Sequence, residues 1–198
     1  VAESILDNEI SDLGNLNKIN LNSGTNIEMA RTDLIAKIGE NISIRRFDKI
    51  KQCENMGLYT HGAKIGVIVS LSGGDKEVSK DIAMHVAASN PICIDSESVP
   101  EELVSREKRI FKEQAASSGK PPEIVEKMIE GRMKKFFKEI TLLGQTFIKN
   151  SDLSVNDLLN ESNAEIISYK RYEVGEGIEK KEENFADEVM AQIKGSES

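Results

Sequence analysis

The chain has 198 residues, of which 38% are hydrophobic and 30% are charged, a composition that predicts one folded domain with an appendage or two small domains. A net charge of -8 disfavours general binding to nucleic-acid backbones, and the absence of Trp with only 5% aromatic residues disfavours a surface of stacked aromatic rings. No apolar run is long enough to cross a membrane, no signal peptide begins the chain, and Cys53 and Cys93 stand alone, so we expect a cytoplasmic protein with free thiols.

The first forty residues are predicted to be helical, with one polar interruption. The stretch between Asn15 and Asn26 is rich in Asn, Ser and Gly, which predicts a loop. Asn26 is the expected N-cap of the helix that follows, and Gly39 is its expected end. Apolar residues recur between them at the spacing of a helix. These residues are Ile27, Ala30, Leu34, Ile35 and Ile38.

Two strands and a helix are predicted next. Residues 41–50 alternate between apolar and polar side chains, which predicts a strand, and residues 52–62 are predicted to form a polar connection. Residues 63–71 are short, apolar and β-branched, as in a central buried strand. Asp75 is the expected N-cap of a helix that Pro91 terminates.

Two long amphipathic segments, residues 101–117 and 122–140, are joined by a tight polar connection. Each segment carries many charges and hides its apolar seam only against the other. This pattern predicts an antiparallel coiled-coil hairpin that projects into solvent.

The remaining elements complete an α+β fold. Residues 154–160 are predicted to form a short helix, residues 166–174 a strand, and residues 184–194 a last helix. The whole pattern predicts a small antiparallel sheet of about three strands backed by helices, with the coiled-coil hairpin inserted and a helix at the C-terminus.

Motifs of catalysis are scarce. His61 and His85 are the only histidines, and no nucleophile motif accompanies either of them. Ser118–Lys120 is similar to the end of a phosphate-binding loop, but Gln114 stands where the first glycine belongs. We therefore expect no catalytic residue, no metal site and no cofactor, which disfavours an enzyme.

Two positions fit either packing or partner contact. His85 lies among small apolar residues, so it is either a histidine hydrogen-bonded at the edge of the core or a contact residue. A contact role predicts that His85→Ala weakens partner binding and leaves the melting temperature nearly unchanged, whereas a core role predicts a large drop. Gly66, which follows Ile65, either permits close helix packing or belongs to an interaction surface.

Five stretches, in order along the chain, resemble elongation factor Ts. The match runs from about Leu34 to the last helix, whereas residues 1–27 are expected to match the family poorly. Because so many segments lie in register, the resemblance is highly specific. The stretches are Ile38–Ile42 with Arg45–Arg46, His61–Val67, Ile82–Ala88, Ile129–Phe136 and Glu173–Ile178.

The resemblance implies a division of the chain around an α+β core. Residues 1–40 would be a helical remnant of the N-terminal core half, and residues 41–100 the core itself. Residues 101–140 would be the coiled-coil hairpin insertion, residues 141–178 the completion of the core, and residues 179–198 the C-terminal helical module.

The resemblance also implies a non-enzymatic activity, the exchange of guanine nucleotide on elongation factor Tu during protein synthesis. Elongation factor Tu is then the expected partner, with no nucleic acid, membrane or cofactor involved. The family includes forms that pair through this part of the chain, which leaves a homodimer open. The implied contacts with elongation factor Tu are Ile65, Gly66, Met84, His85 and Val86 in the core, and Phe185, Val189 and Met190 in the last helix.

One departure from the family concerns a Thr-Asp-Phe-Val motif that intrudes near the magnesium of elongation factor Tu. In this sequence Thr32 and Asp33 are followed by Leu34, and the motif is absent. The chain begins with Val1 rather than Met, so we expect that a preceding segment has been removed. Such a fragment is expected to bind weakly and to exchange poorly. The alternative is a structural or scaffold module that acts through the coiled-coil hairpin.

Overall fold

A three-stranded antiparallel sheet with helices packed on it forms the centre of the larger part of the chain. The computed structural model describes residues 1–177 except 9, 11, 51, 52, 117 and 118. The chain divides into two compact units, Val1–Cys53 and Glu54–Ser198. The combination of helices with an antiparallel sheet confirms the predicted α+β class.

The first unit is helical, as the sequence predicts. Its helices are α1 (Ala2–Asp7), α2 (Leu13–Leu16) and α3 (Ile27–Ile38). Ile5, Leu16 and Ile27 form its small buried core. Asn26 Oδ1 accepts a hydrogen bond from the Met29 N–H at 2.7 Å, and α3 ends at Gly39, whose φ of 76° strains residues that carry a Cβ. Both predicted ends of α3 are confirmed.

The prediction of a strand at residues 41–50 is wrong. Among the described residues, this segment pairs with no other strand. Ile44 and Phe47 pack instead against the small core of the first unit. The alternation therefore reflects apolar residues that are half-buried in a segment without regular secondary structure, and a strand additionally requires a neighbouring backbone with which to form hydrogen bonds.

The sheet belongs to the second unit and has the order β1–β2–β3. Its strands are β1 (Asn55–His61), β2 (Ile65–Gly73) and β3 (Ala164–Glu173). The central strand is β2, which confirms the prediction of a buried strand at residues 63–71. Val67, Val69 and Leu71 alternate along β2 and point into the core.

Strand β1 lies where the sequence predicts a polar connection, so that prediction is wrong. The one buried residue of β1 is Gly57, while Leu58 is 63% exposed. A Cβ at Gly57 would lie 1.9 Å from the Ser79 backbone oxygen. The glycine permits the next helix to approach the sheet, and it removes the apolar alternation that would have revealed a strand.

Helix α4 (Lys76–Ser89) covers this face of the sheet. The Asp75 carboxylate accepts hydrogen bonds from the Glu77 and Val78 N–H groups, both at 2.8 Å, which confirms the predicted N-cap. The helix ends at Asn90, before Pro91. Buried α4 side chains, namely Ile82, Ala83, Val86 and Ala87, complete the core with those of β2.

Helices α5 (Glu101–Ala116) and α6 (Pro122–Ile140) pack on each other around a separate cluster of Ala115, Ile129 and Met133. The Arg132 guanidinium donates a hydrogen bond to Gln114 Oε1 at 2.6 Å. The Phe111 and Phe136 rings meet edge to face, 6.5 Å apart. These contacts show that the two helices run in opposite directions, whereas the coiled-coil geometry stays a prediction.

The chain returns to the sheet after α6. Thr141 and Cys93 form a short parallel bridge, and helix α7 (Val155–Glu161) then leads to β3. Ser154 caps α7 through a reciprocal pair of bonds with Asp157. The helix predicted at residues 184–194 lies outside the described residues.

Candidate partner-binding surface

Ile65 and Gly66 begin strand β2, directly after a tight turn. They pair with His61 and Thr60 of β1. Ile65 packs toward the core, and Gly66 faces the opposite side of the sheet. A Cβ at Gly66 would meet no heavy atom within 4 Å, so the interpretation of this glycine as a close-packing residue is wrong.

The two residues line a shallow hollow of about 410 Å³ that also includes Lys64, Tyr172 and Val174. The space beside Gly66 is open on the face of the sheet opposite α4. A second backbone can therefore approach the sheet here more closely than it could approach a residue with a side chain.

Met84 is half-buried on α4 and lines a second hollow, of about 630 Å³. Tyr59 of β1, Asp81 and Lys149 also line this hollow. The Lys149 ammonium donates a hydrogen bond to an Asp81 carboxylate oxygen at 2.5 Å. The hollow thus combines the apolar side chains of Tyr59 and Met84 with charged ones, as protein-contact sites often do.

His85 is fully buried, with 0% of its surface exposed. The Ile148 N–H donates to His85 Nδ1 at 3.3 Å, and His85 Nε2 lies 3.0 Å from Gln145 Oε1. The Phe147 ring lies 6.0 Å from the imidazole. Both ring nitrogens therefore have partners, and the histidine occupies a core position in this chain.

These contacts fix the protonation state of His85. A backbone N–H is only a donor, so Nδ1 accepts, and the neutral ring carries its proton on Nε2 and donates to Gln145. Burial lowers the pKa of the imidazole below its usual 6.5, and the hydrogen bond with Gln145 partly opposes that shift. The neutral form therefore prevails near pH 7.

Val86 is also fully buried and packs in the core. Of the predicted contact residues, Met84, Ile65 and Gly66 thus reach the surface in part, whereas His85 and Val86 lie beneath it. Phe185, Val189 and Met190 lie outside the described residues.

Sequence reasoning missed Gln145, Ile148 and Lys149. Gln145 lies 60 residues from His85 along the chain, and no motif links the two. Ile148 shows no helical or strand periodicity with its neighbours, because it belongs to a turn. Only the packing of the 145–149 segment on α4 reveals that these residues surround His85.

Neither a metal centre nor a membrane-spanning helix is found in the described part of the chain. Within residues 1–177, where described, no three His, Cys, Asp or Glu side chains are grouped so as to hold a metal ion. The helices in that part of the chain are all too short or too polar to cross a membrane.

Comparison with known proteins decides the family. The family model described as elongation factor TS matches residues 1–176. The chain belongs to the elongation factor Ts family. The match begins at residue 1, so the expectation that residues 1–27 match the family poorly is wrong, whereas the resemblance from Leu34 onward is confirmed.

Relatives agree with this assignment along nearly the whole chain. The elongation factor Ts of Thioalkalivibrio sulfidiphilus is 52% identical over 99% of this chain and 67% of its own length. That of Legionella pneumophila strain Paris is 50% identical over 98% of the chain and 66% of its own length. That of Francisella tularensis subsp. novicida is 54% identical over 85% of the chain. The chain spans about two thirds of the length of the first two relatives.

Proposed function

We propose that this chain acts in protein synthesis as a guanine nucleotide exchange factor for elongation factor Tu and promotes the release of GDP. Membership in the elongation factor Ts family is the observation that carries this proposal. The role requires recognition of a protein surface and no covalent chemistry, so the chain is not an enzyme in the usual sense. Its place is the cytoplasm, where translation occurs, and its partner is a protein, with no nucleic acid or membrane.

The mechanism is a linkage between two binding equilibria. A factor that binds nucleotide-free elongation factor Tu more tightly than the GDP-bound form weakens GDP binding by the same ratio. Each tenfold of that ratio requires about 1.4 kcal/mol of contacts that form only with the nucleotide-free conformation. Surface contacts alone can supply this energy.

The contact surface in the described part of the chain comprises Ile65, Gly66 and Met84, with His85 and Val86 supporting it from below. Gly66 leaves room for a close backbone approach, and Met84 offers a flexible apolar side chain that adapts to a partner. The helix that the sequence predicts at residues 184–194 would add Phe185, Val189 and Met190 as a second area of contact.

We expect this chain to bind weakly and to exchange poorly, because the Thr-Asp-Phe-Val segment is absent from its sequence. The test is the release rate of a fluorescent GDP analogue from elongation factor Tu, measured with this chain and with a full-length family member at equal concentrations. A much slower release with this chain is the expected result. Equal rates would refute the idea that the absent segment matters.

A scaffold role through α5 and α6 is the second candidate. The pair has a buried cluster of its own, separate from the main core, and many of its exposed residues are charged. Replacing residues 101–140 with a short linker tests the choice. If binding to elongation factor Tu survives, the core carries docking, and if it disappears, the helical pair carries it.

Self-association is a further part of the proposal, because the family includes forms that pair. Sedimentation of the chain at several concentrations measures it directly. A mass that stays at that of one chain, 21.9 kDa, at all concentrations would exclude a homodimer.

A further inference from the structure

We propose that His85 and Gln145 are positioning residues that hold Ile148 and Lys149 in the surface that contacts elongation factor Tu. This inference rests on the proposed function and names the residues that meet the partner. It starts from a conflict: His85 is expected to matter for binding, yet none of its surface is exposed. A buried side chain affects a partner through the exposed residues that it holds in place.

A series of hydrogen bonds, each donating to the next group, passes through His85. The Ile148 N–H donates to His85 Nδ1 at 3.3 Å, and His85 Nε2–H donates to Gln145 Oε1 at 3.0 Å. The Gln145 side-chain amide then donates to the Glu139 backbone oxygen at 2.7 Å. That oxygen lies in the last turn of α6, where carbonyl groups lack partners within the helix. These hydrogen bonds thus connect α4, the 145–149 segment and the end of α6.

The 145–149 segment is fixed by further contacts. Phe147 is buried in the core, its N–H donates to the Leu153 oxygen at 2.9 Å, and Thr146 forms a bridge with Ser154. Lys149 is held at Asp81, one turn before His85 on α4. Ile148 therefore lies between two fixed neighbours.

Ile148 is nevertheless 43% exposed. Its backbone contacts His85, and Lys149 lines the same hollow as Met84. An exposed isoleucine in a well-held turn, next in the chain to a residue of the Met84 hollow, loses little conformational freedom on binding, which favours affinity. We assign the partner of this patch as elongation factor Tu, with an apolar recess for Ile148.

Four variants of the 198-residue chain test the inference by titration against nucleotide-free elongation factor Tu, with the melting temperature of each variant measured alongside. Ile148→Ala is expected to weaken binding about tenfold at an unchanged melting temperature. Ile92→Ala is the matched control, because Ile92 is 54% exposed and lies outside both the Met84 hollow and the helical pair, and it is expected to change neither property.

His85→Asn and His85→Gln separate positioning from stability. Asn presents an oxygen near the place of Nδ1 and retains the bond from Ile148, whereas Gln presents a donor near the place of Nε2 and retains only the bond to Gln145. The asparagine variant is expected to bind several-fold more tightly than the glutamine variant when the two melt at similar temperatures. A merely structural role of His85 predicts binding that follows the melting temperature alone.

The titrations separate the positioning inference from the proposed function. If the wild-type chain binds and Ile148→Ala binds equally well, the positioning inference falls and the proposed function stands. If the wild-type chain shows no binding to nucleotide-free elongation factor Tu, both are overturned.

Discussion

The sheet with α4 buries many more side chains than the pair formed by α5 and α6. Val69, Leu71, Ile82 and Val86 in the first region are fully buried. Within the described residues of the helical pair, the buried side chains are those of Ala115, Ile129 and Met133. Substitutions of binding residues in the sheet or α4 are therefore expected to change the stability of the chain as well. Substitutions in the helical pair are expected to leave the sheet and α4 undisturbed.

The largest expected effect lies where α4 meets β1. Gly57→Ala should lower the free energy of unfolding by about 3 kcal/mol, because the new Cβ would overlap the Ser79 backbone. Gly66→Ala is the matched control in the same sheet and should leave stability nearly unchanged. Urea unfolding of both variants measures the difference. Equal stability of the two would show that α4 does not lie against Gly57 as described.

Next comes His85→Ala, which should lower the free energy of unfolding by about 2 kcal/mol. The substitution removes a fully buried ring and leaves the Ile148 N–H and the Gln145 oxygen without their partner. Thermal unfolding is the measurement. An unchanged melting temperature would instead favour the role of a pure contact residue at the surface.

The pH dependence of stability tests whether His85 is buried as a neutral ring. Burial lowers the pKa of His85 in the folded chain below its usual 6.5, so the unfolded chain binds more protons in the interval between the two values. The contribution of the neutral ring is thus fully present above pH 6.5 and is lost as the pH falls below it. Urea unfolding between pH 8 and pH 5 should show a decline that is absent from His85→Asn. The same decline in both chains would assign it to other groups.

The smallest expected effect lies in the helical pair. Arg132→Ala removes a hydrogen bond to Gln114 and a cation that lies 5.8 Å from the Phe111 ring centre, and it should lower stability by about 0.5–1 kcal/mol. Lys135→Ala is the control, because its ion pair with Glu139 is long and exposed. If Arg132→Ala destabilised the chain as much as His85→Ala, the two regions would not differ as proposed.

The sequence predicts those elements whose signal is local. The caps at Asn26 and Asp75, the apolar run of β2 and the seam of α6 all depend on near neighbours, and the structure confirms them. Strand β1 is missed because its one buried residue, Gly57, has no apolar side chain that would indicate burial. Residues 41–50 mislead because half-burial resembles alternation in a strand.

The candidate site, too, is predicted from the sequence only where its signal is local. Met84 and His85 are found through a short stretch that resembles the family, but their surroundings depend on residues far along the chain. The turn that presents Ile148 has no periodicity of its own, so only the folded chain brings it to α4.

The central claim is that this chain prefers elongation factor Tu without nucleotide. The most direct measurement is its dissociation constant for elongation factor Tu stripped of nucleotide and for the GDP-bound form, in one buffer. The account predicts binding to the nucleotide-free form that is at least about tenfold tighter, a difference of about 1.4 kcal/mol. Equal dissociation constants would contradict it, because a factor with equal affinity for two states shifts neither.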